Sequence, residues 1–284
     1  MWNSEFMIVA LIVSLLFGVL MPLAGGPAVY KRLSSSGDAL SHSALAGVAI
    51  GLAAGLNTLW TSLAACFVSL LLLELIRNRF SKYAEVGVSV VFALAVGLAG
   101  ILSSYTNASS FDSYLFGSVL LVSKEELYLT IALTVIALLF SIFFMPQIFA
   151  SLYSSSESKV VKIPTRLINF FEDLLLALTI ALGSKIVGSL VVSSMVVLPT
   201  AMALQLKKGY KVTMWVSEVF SVLMMGAGLI LSYYADWKPG ATIVTLAVLV
   251  LLLFVAGREI YDRLVTRKKS EKQHVSNQNN LSDK

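Results

Sequence analysis

Residues 37–55 read GDALSHSALAGVAIGLAAG. Most of the stretch consists of small and apolar residues, and its length suits a membrane helix of about 20 residues. Ser43, Gly47, Gly51 and Gly55 step by four along one stripe, and small residues at that spacing let helix backbones approach closely. Asp38 and His42 are also four apart, so on a helix they share a neighbouring face. An ionised side chain at the bilayer centre costs about 2.5–3.5 kcal/mol on insertion scales, and such groups line pathways or find partners. Taken singly, Asp38 follows SSSG and reads as a helix cap, and His42 reads as a hydrogen-bonded core histidine. As a pair, with His42 the only histidine outside the C-terminal tail, they are the candidate functional residues.

The rest of the chain sets this segment in a membrane. Of 284 residues, 57% are hydrophobic and 13% charged, with a mean hydropathy of +0.85; a soluble domain carries about 25% charged residues. The apolar runs are continuous rather than alternating, which excludes a β-barrel. The sequence predicts an all-α integral membrane protein, a polytopic helical bundle of about nine spans (range seven to nine), near 6–30, 38–55, 58–77, 84–103, 126–147, 168–184, 187–206, 212–232 and 240–262. The stretch 168–206 also reads as one broken unit. The first run lacks a basic lead-in and a cleavage site, and reads as a span rather than a signal peptide.

Lys31 and Arg32, Arg77, Arg79 and Lys82, Lys159, Lys162 and Arg166, Lys207, Lys208 and Lys211, and Arg258 to Lys272 follow alternate spans. Every second loop is therefore basic, which puts the N-terminus outside and the C-terminus inside. Residues 1–267 form the transmembrane domain, and 268–284 a polar cytoplasmic tail expected to be disordered. The net charge of +5 reflects these membrane anchors and implies no nucleic-acid partner. A lone cysteine, Cys66, excludes an internal disulfide and a cysteine-based metal cluster.

Other charges near the spans read as structural. Glu74 and Arg77 form an i, i+3 pair, Lys185 snorkels from the outer end of span 6, and Glu172 and Asp173 cap the start of that span. The outer segment 104–125 holds a short surface or re-entrant helix near Ser113 to Leu121. GSKIVGS, residues 183–189, lacks the spacing of a phosphate-binding loop, so this chain is not expected to bind or hydrolyse ATP.

A carboxylate with an imidazole suits zinc, manganese or iron, or serves as a proton relay. Two ligands do not complete a zinc site, which takes four. A two-fold homodimer would supply two Asp38 and two His42 around one axis.

GDALSHSALAGVAIG resembles a signature of the membrane permease subunits of zinc/manganese/iron ABC importers. VGSLVVSSMVVLPTAMA (187–203), KPGATIVTLA (238–247) and YLFGSVLLVSKEEL (114–127) resemble further elements of that family, in order along nearly the whole chain. The resemblance implies a bacterial multi-pass plasma-membrane importer. It would have two permease chains, two cytoplasmic ATPase subunits and an extracellular metal-binding protein. It implies Asp38 and His42 as metal-contacting residues, and a cytoplasmic ATPase-docking loop near Glu157 to Arg166, where Ser158 and Lys162 depart from the usual small-residue pattern. No permanently bound cofactor is expected. The cargo is a divalent metal, zinc favoured by the SHSALAGVAIG wording, manganese and iron the alternatives. A secondary metal/proton transporter using Asp38 and His42 as a relay is the competing reading.

Overall fold

The computed structural model describes residues 5–79, 84–106, 113–117, 122–153 and 165–282. Among them are nine α-helices and no strand: α1 Glu5–Tyr30, α2 Ser35–Ala54, α3 Thr58–Arg79, α4 Ala84–Ser103, α5 Lys124–Tyr153, α6 Thr165–Gly183, α7 Ser189–Leu204, α8 Tyr210–Ala235 and α9 Pro239–Ser282. A π-helical turn, Ser184–Gly188, joins α6 to α7. One helical turn at 113–116 covers the start of the expected re-entrant helix; residues 118–121 and most of the expected docking loop, 154–164, lie outside the described residues.

Seven helical runs among the described residues are long and apolar enough to cross a membrane. The two departures from nine have a physical cause. Helix α2 is diluted by serine, glycine, Asp38 and His42, and α6 and α7 form one helical run, Arg166–Leu204. Every backbone group in a helix is bonded internally, which is why a lipid-spanning chain takes this form.

Helix α1 lies at the heart of the bundle, packed against α5, α6, α7 and α8. Its Phe17, Leu20 and Met21 are fully buried. Helix α2 packs on α3 and α4, and its residues from Ser43 to Ala49 are all buried. The outward faces of α4 and α5 carry Leu98, Ile101, Ile142 and Phe143, all exposed, an arrangement suited to lipid rather than water. Residues 248–282 continue α9 as helix, with a Glu259–Arg263 pair one turn apart at 2.5 Å.

Two backbone breaks shape the bundle. Gly188 has φ +103° and ψ 144°, a conformation open to glycine, and it ends the π turn. A Cβ there would lie 2.5 Å from the Gly117 nitrogen and 2.6 Å from the Phe116 carbonyl carbon, so the absence of a side chain is needed twice over. Lys238 sits over the Phe116 ring, 4.6 Å from its centroid, so segment 115–117 is held between the α6–α7 junction and the start of α9.

Gly55, the last of the four-step stripe, has φ +67° and caps α2, its N–H bonding to the Gly51 carbonyl. A Cβ on Gly55 would meet nothing within 4 Å, so this glycine ends the helix rather than packing it. Close approach is confined to Gly47 and Gly51. A Cβ on Gly47 would lie 2.5 Å from the Thr61 carbonyl oxygen and 2.7 Å from Ser62 Cα, and one on Gly51 would lie 2.5 Å from Thr61 Oγ1 and 3.0 Å from Thr58 Cα. The contacts at Gly47 are with backbone, which cannot rotate away.

Gly47→Leu and Gly51→Leu should therefore each force α2 from α3 and reduce the yield of monodisperse protein in detergent, Gly47→Leu more severely. Gly100→Leu, where a Cβ meets nothing within 4 Å, should behave as wild type. Size-exclusion profiles of the three variants check this; a monodisperse, well-expressed Gly47→Leu protein contradicts it.

Candidate functional site

Helix α2 starts at Ser35, three residues before Asp38, and its N-cap Ser34 makes no side-chain capping bond. Asp38 is thus inside the first turn and is not the cap the sequence allowed. Its depth follows from α3. The Cys66 thiol donates to the Leu40 carbonyl at 3.4 Å, and Cys66 is the ninth residue of the 22-residue α3. At 1.5 Å per residue, Leu40 sits about 12 Å from the Thr58 end of α3, near mid-height. Gly37 faces Val196 at the middle of α7, a Cβ there lying 3.5 Å from Val196 Cγ1. The N-terminus of α2 is therefore recessed into the bundle.

Ion pairs hold it there. Lys31, just past α1, donates to Asn169 Oδ1 at 2.9 Å and pairs with Glu172. Arg77 donates to Asp173 Oδ2 at 2.6 Å and to Ser36 Oγ at 3.1 Å. Two expectations are corrected here. Glu172 and Asp173 are the eighth and ninth residues of α6 and clamp the α1–α2 turn instead of capping a helix. Arg77 pairs across the bundle, while the ion pair of Glu74 is with Arg166, at 3.9 Å. A partner on another helix offers a partly dry, fixed contact, whereas an i, i+3 pair on one helix contributes only about 0.2–0.5 kcal/mol.

Along the first turns of α2, Ala39, Leu40, Ser41, Ser43 and Ala44 are buried, His42 is half-buried and Asp38 exposed. The Asp–His face thus points away from the chain's own core. The His42 ring meets the Phe92 ring of α4 edge to face, centroids 4.9 Å apart. From α7, Ser193 lies on the half-open stripe of that helix, its hydroxyl donating to the Leu190 carbonyl at 3.3 Å. Ser193 belongs to the apolar stretch 187–203, and the sequence reading assigned it no role; its only signal was a pair of serines on an otherwise apolar helix. Among the described residues no group of three or more His, Cys, Asp or Glu side chains could hold a metal. Asp38 and His42 stand as a pair on one helix face, and the Cys66 thiol is buried on the Leu40 carbonyl.

At the opposite end of the bundle, Lys185 does not snorkel: its Nζ lies 2.6 Å from Glu126 Oε1, with Glu126 only 7% exposed. Glu126 also accepts from the Ser123 N–H at 2.9 Å, and its own N–H donates to Ser123 Oγ at 3.3 Å. This is the reciprocal capping box legible in S-x-x-E, and it starts α5.

Residues 3–258 match the ABC 3 transport family. The chain is 34% identical over 261 residues, 92% of its length and 98% of the relative's, to a "Probable metal transport system membrane protein" of Treponema pallidum. Two relatives from Haemophilus influenzae carry names for different metals. One is named for iron transport (28% identity, 90% of this chain, 95% of the relative). The other is named for high-affinity zinc uptake (27%, 87% and 97%). Among solved structures, the chain is similar to one from PsaBC of Streptococcus pneumoniae in complex with Fab, with TM-score 0.78 and 22% identity, covering 89% of this chain and 92% of that one; this likeness shows the fold.

The clamp makes a stability prediction. Lys31→Met leaves Glu172, 4% exposed, without its cation, and breaking a buried pair costs about 3–5 kcal/mol. The thermal-unfolding midpoint in detergent should fall clearly. Lys31→Met/Glu172→Leu, which removes both charges, should recover most of the loss. Equal midpoints for the single and double variants would show that the pair does not act as a unit.

Proposed function

Because the chain belongs to the ABC 3 transport family, we propose that it is the membrane-spanning permease subunit of an ATP-driven importer for a divalent transition metal. It is a multi-pass protein of the bacterial plasma membrane. The observation that carries the proposal is the Asp38–His42 face. A carboxylate and an imidazole stand at mid-height of the bundle, turned away from the chain's own core, on a recessed helix held in place by cross-bundle ion pairs. Charged groups at such depth are costly without a role, and these two residue types suit zinc, manganese and iron.

One chain offers two donors, so a second copy related by a two-fold axis completes a set of two carboxylates and two imidazoles. Opposed Asp38 side chains repel when no cation lies between them, so the divalent cargo favours the arrangement in which the two faces converge. ATP hydrolysis on separate cytoplasmic subunits, docked near 157–166, separates the faces and releases the ion inward. An extracellular metal-binding protein delivers it. All nine helices cross or enter the membrane, with the N-terminus outside and the C-terminus inside. Supporting this, the basic ends of α1 and α3 meet the same region of α6, through Lys31 and Arg77. Residues 1–267 form the transport domain and 268–284 a polar cytoplasmic extension. Zinc is the proposed cargo. The names of relatives divide between metals, so the metal is decided by uptake.

In cells lacking the chromosomal gene, Asp38→Asn and His42→Ala should each lower uptake of radioactive zinc more than tenfold at normal protein levels. Wild-type uptake in either variant removes that residue from the pathway. Manganese or iron uptake that depends on the protein, with zinc uptake unaffected, reassigns the cargo. Uptake by the chain alone in liposomes without an ATPase would favour a proton-coupled carrier.

Orientation has its own test. In a Cys66→Ala background, Tyr105→Cys, at a position where the tyrosine is 78% exposed, should react with an impermeant thiol reagent added to intact cells. Lys208→Cys should react only after the cells are permeabilised. The reverse pattern inverts the topology.

A further inference from the structure

A histidine that binds metal is ordinarily oriented through its second ring nitrogen, which donates to a carboxylate or a backbone carbonyl; that bond fixes the ring and raises its basicity. His42 is held differently. Among the described residues, none hydrogen-bonds to either of its ring nitrogens. Its contact is with the ring of Phe92, edge to face, the centroids 4.9 Å apart and the planes at 83°. Helix α4 reads AEVGVSVVFALAVGLAGILS, with Phe92 its only aromatic residue. The helix packs inward through Val88, Val91, Ala95 and Ala99, all buried, and Phe92 flanks that seam, 37% exposed. Phe92 is the ninth residue of α4, about 12 Å from its first at 1.5 Å per residue. That is the mid-helix level at which Leu40 meets α3. The one large ring of α4 therefore stands where α2 presents its imidazole.

We propose that Phe92 is a positioning residue for His42, its ring bracing the imidazole by an edge-to-face contact that leaves the ring nitrogens open to the cargo. The proposal rests on the reading that Asp38 and His42 contact the metal. The torsion that turns an imidazole about its Cβ–Cγ bond is broad, so an unbraced ring loses rotational freedom when a cation fixes it. A brace present beforehand reduces that loss, and the metal meets an oriented ligand. A hydrocarbon brace differs from a hydrogen-bonded one in two respects. It has no lone pair or acidic proton with which to compete for the metal. It also leaves the basicity of the imidazole unraised, whereas a carboxylate partner would increase it. The ligand is held in place without being made to bind more tightly, which suits an ion that must be released in every cycle.

Two measurements on the purified full chain, stripped of metal by a chelator, test this. Both use a His274→Gln background, in which His42 is the only histidine. The first is zinc affinity by competition with a chromophoric chelator, taken as the part of the binding that His42→Ala removes. Phe92→Leu, which keeps apolar bulk and loses the ring, should weaken it about two- to tenfold, the scale of one aromatic pair. Phe92→Tyr, which keeps the ring, should bind as the parent does. Phe143→Leu, which removes a ring that is 70% exposed on α5, should change nothing. The second is the rate at which diethyl pyrocarbonate modifies the His42 imidazole, followed by the absorbance of the product. Phe92→Leu should speed it about twofold or more, because the ring that covers and pairs with the imidazole is gone, and Phe92→Tyr should not. If Phe92→Leu gives too little protein, Phe92→Met takes its place with the same expectations. A general packing defect would lower the yield of monodisperse protein and would not separate Leu from Tyr. Parental zinc affinity or a parental modification rate in Phe92→Leu overturns the proposal, and so does a loss shared equally by Phe92→Tyr. If His42→Ala removes zinc binding while Phe92→Leu is silent, the positioning role fails and the ligand reading stands. If His42→Ala binds zinc as the parent does, the ligand reading fails first and the positioning role falls with it.

Discussion

A helix that starts inside the bundle organises the rest of the molecule. The α1–α2 turn is pulled to the level of Asn169, Glu172 and Asp173, well along α6, by Lys31 and Arg77, so α2 begins near the middle of its neighbours. With that recess Asp38 stands beside the middle stretches of α3 and α7 rather than at the ends of its neighbours. Burying ions in this way is weak evidence for stability, because desolvation offsets much of the attraction. Its effect here is placement, since each cation has one partner set and the turn has one position that satisfies both.

Packing around α2 follows from this placement. A short, recessed helix has little apolar side chain with which to hold its neighbours, and Gly47 and Gly51 substitute close backbone contact with α3 at Thr58, Thr61 and Ser62. In lipid, where no hydrophobic force draws helices together, contact at that distance is a main source of association. The small residues and the polar pair are thus two aspects of one solution. The same segment that packs closely on α3 leaves Asp38 exposed and His42 half-buried on the other side.

The opposite end of the bundle is built by different means. Gly188 breaks the α6–α7 run, Gly117 and Gly240 meet neighbouring backbone and side-chain atoms without side chains of their own, and Lys185 is tied to Glu126. Backbone-to-backbone packing at a π turn gives a junction with few rotatable side chains, and π turns recur at functional sites. Between this junction and the ionic clamp lie the Asp–His face and the stripe of α7 that carries Ser193.

Much of this was legible in the chain itself. Long, continuous apolar runs determine a helical membrane bundle, because the other spanning structure, a closed barrel, needs alternating strands, and the four-residue spacing of Asp38 and His42 determines a shared face. The capping box before α5 and the absence of a phosphate-binding loop are equally local. What only the tertiary structure decided were partnerships between residues distant in sequence. Arg77 had an acid one turn away, yet pairs with Asp173; Lys185 could have reached for the interface, yet lies on Glu126. Gly55 belongs to the glycine pattern but ends the helix. Asp38 looked like a cap, and the depth that makes it a ligand candidate comes from ion pairs to α6. The physical reason is the same in each case: helical periodicity is a property of neighbours along the chain, whereas the partner of a charge or hydroxyl is chosen by which helices the bilayer and the backbone contacts bring side by side.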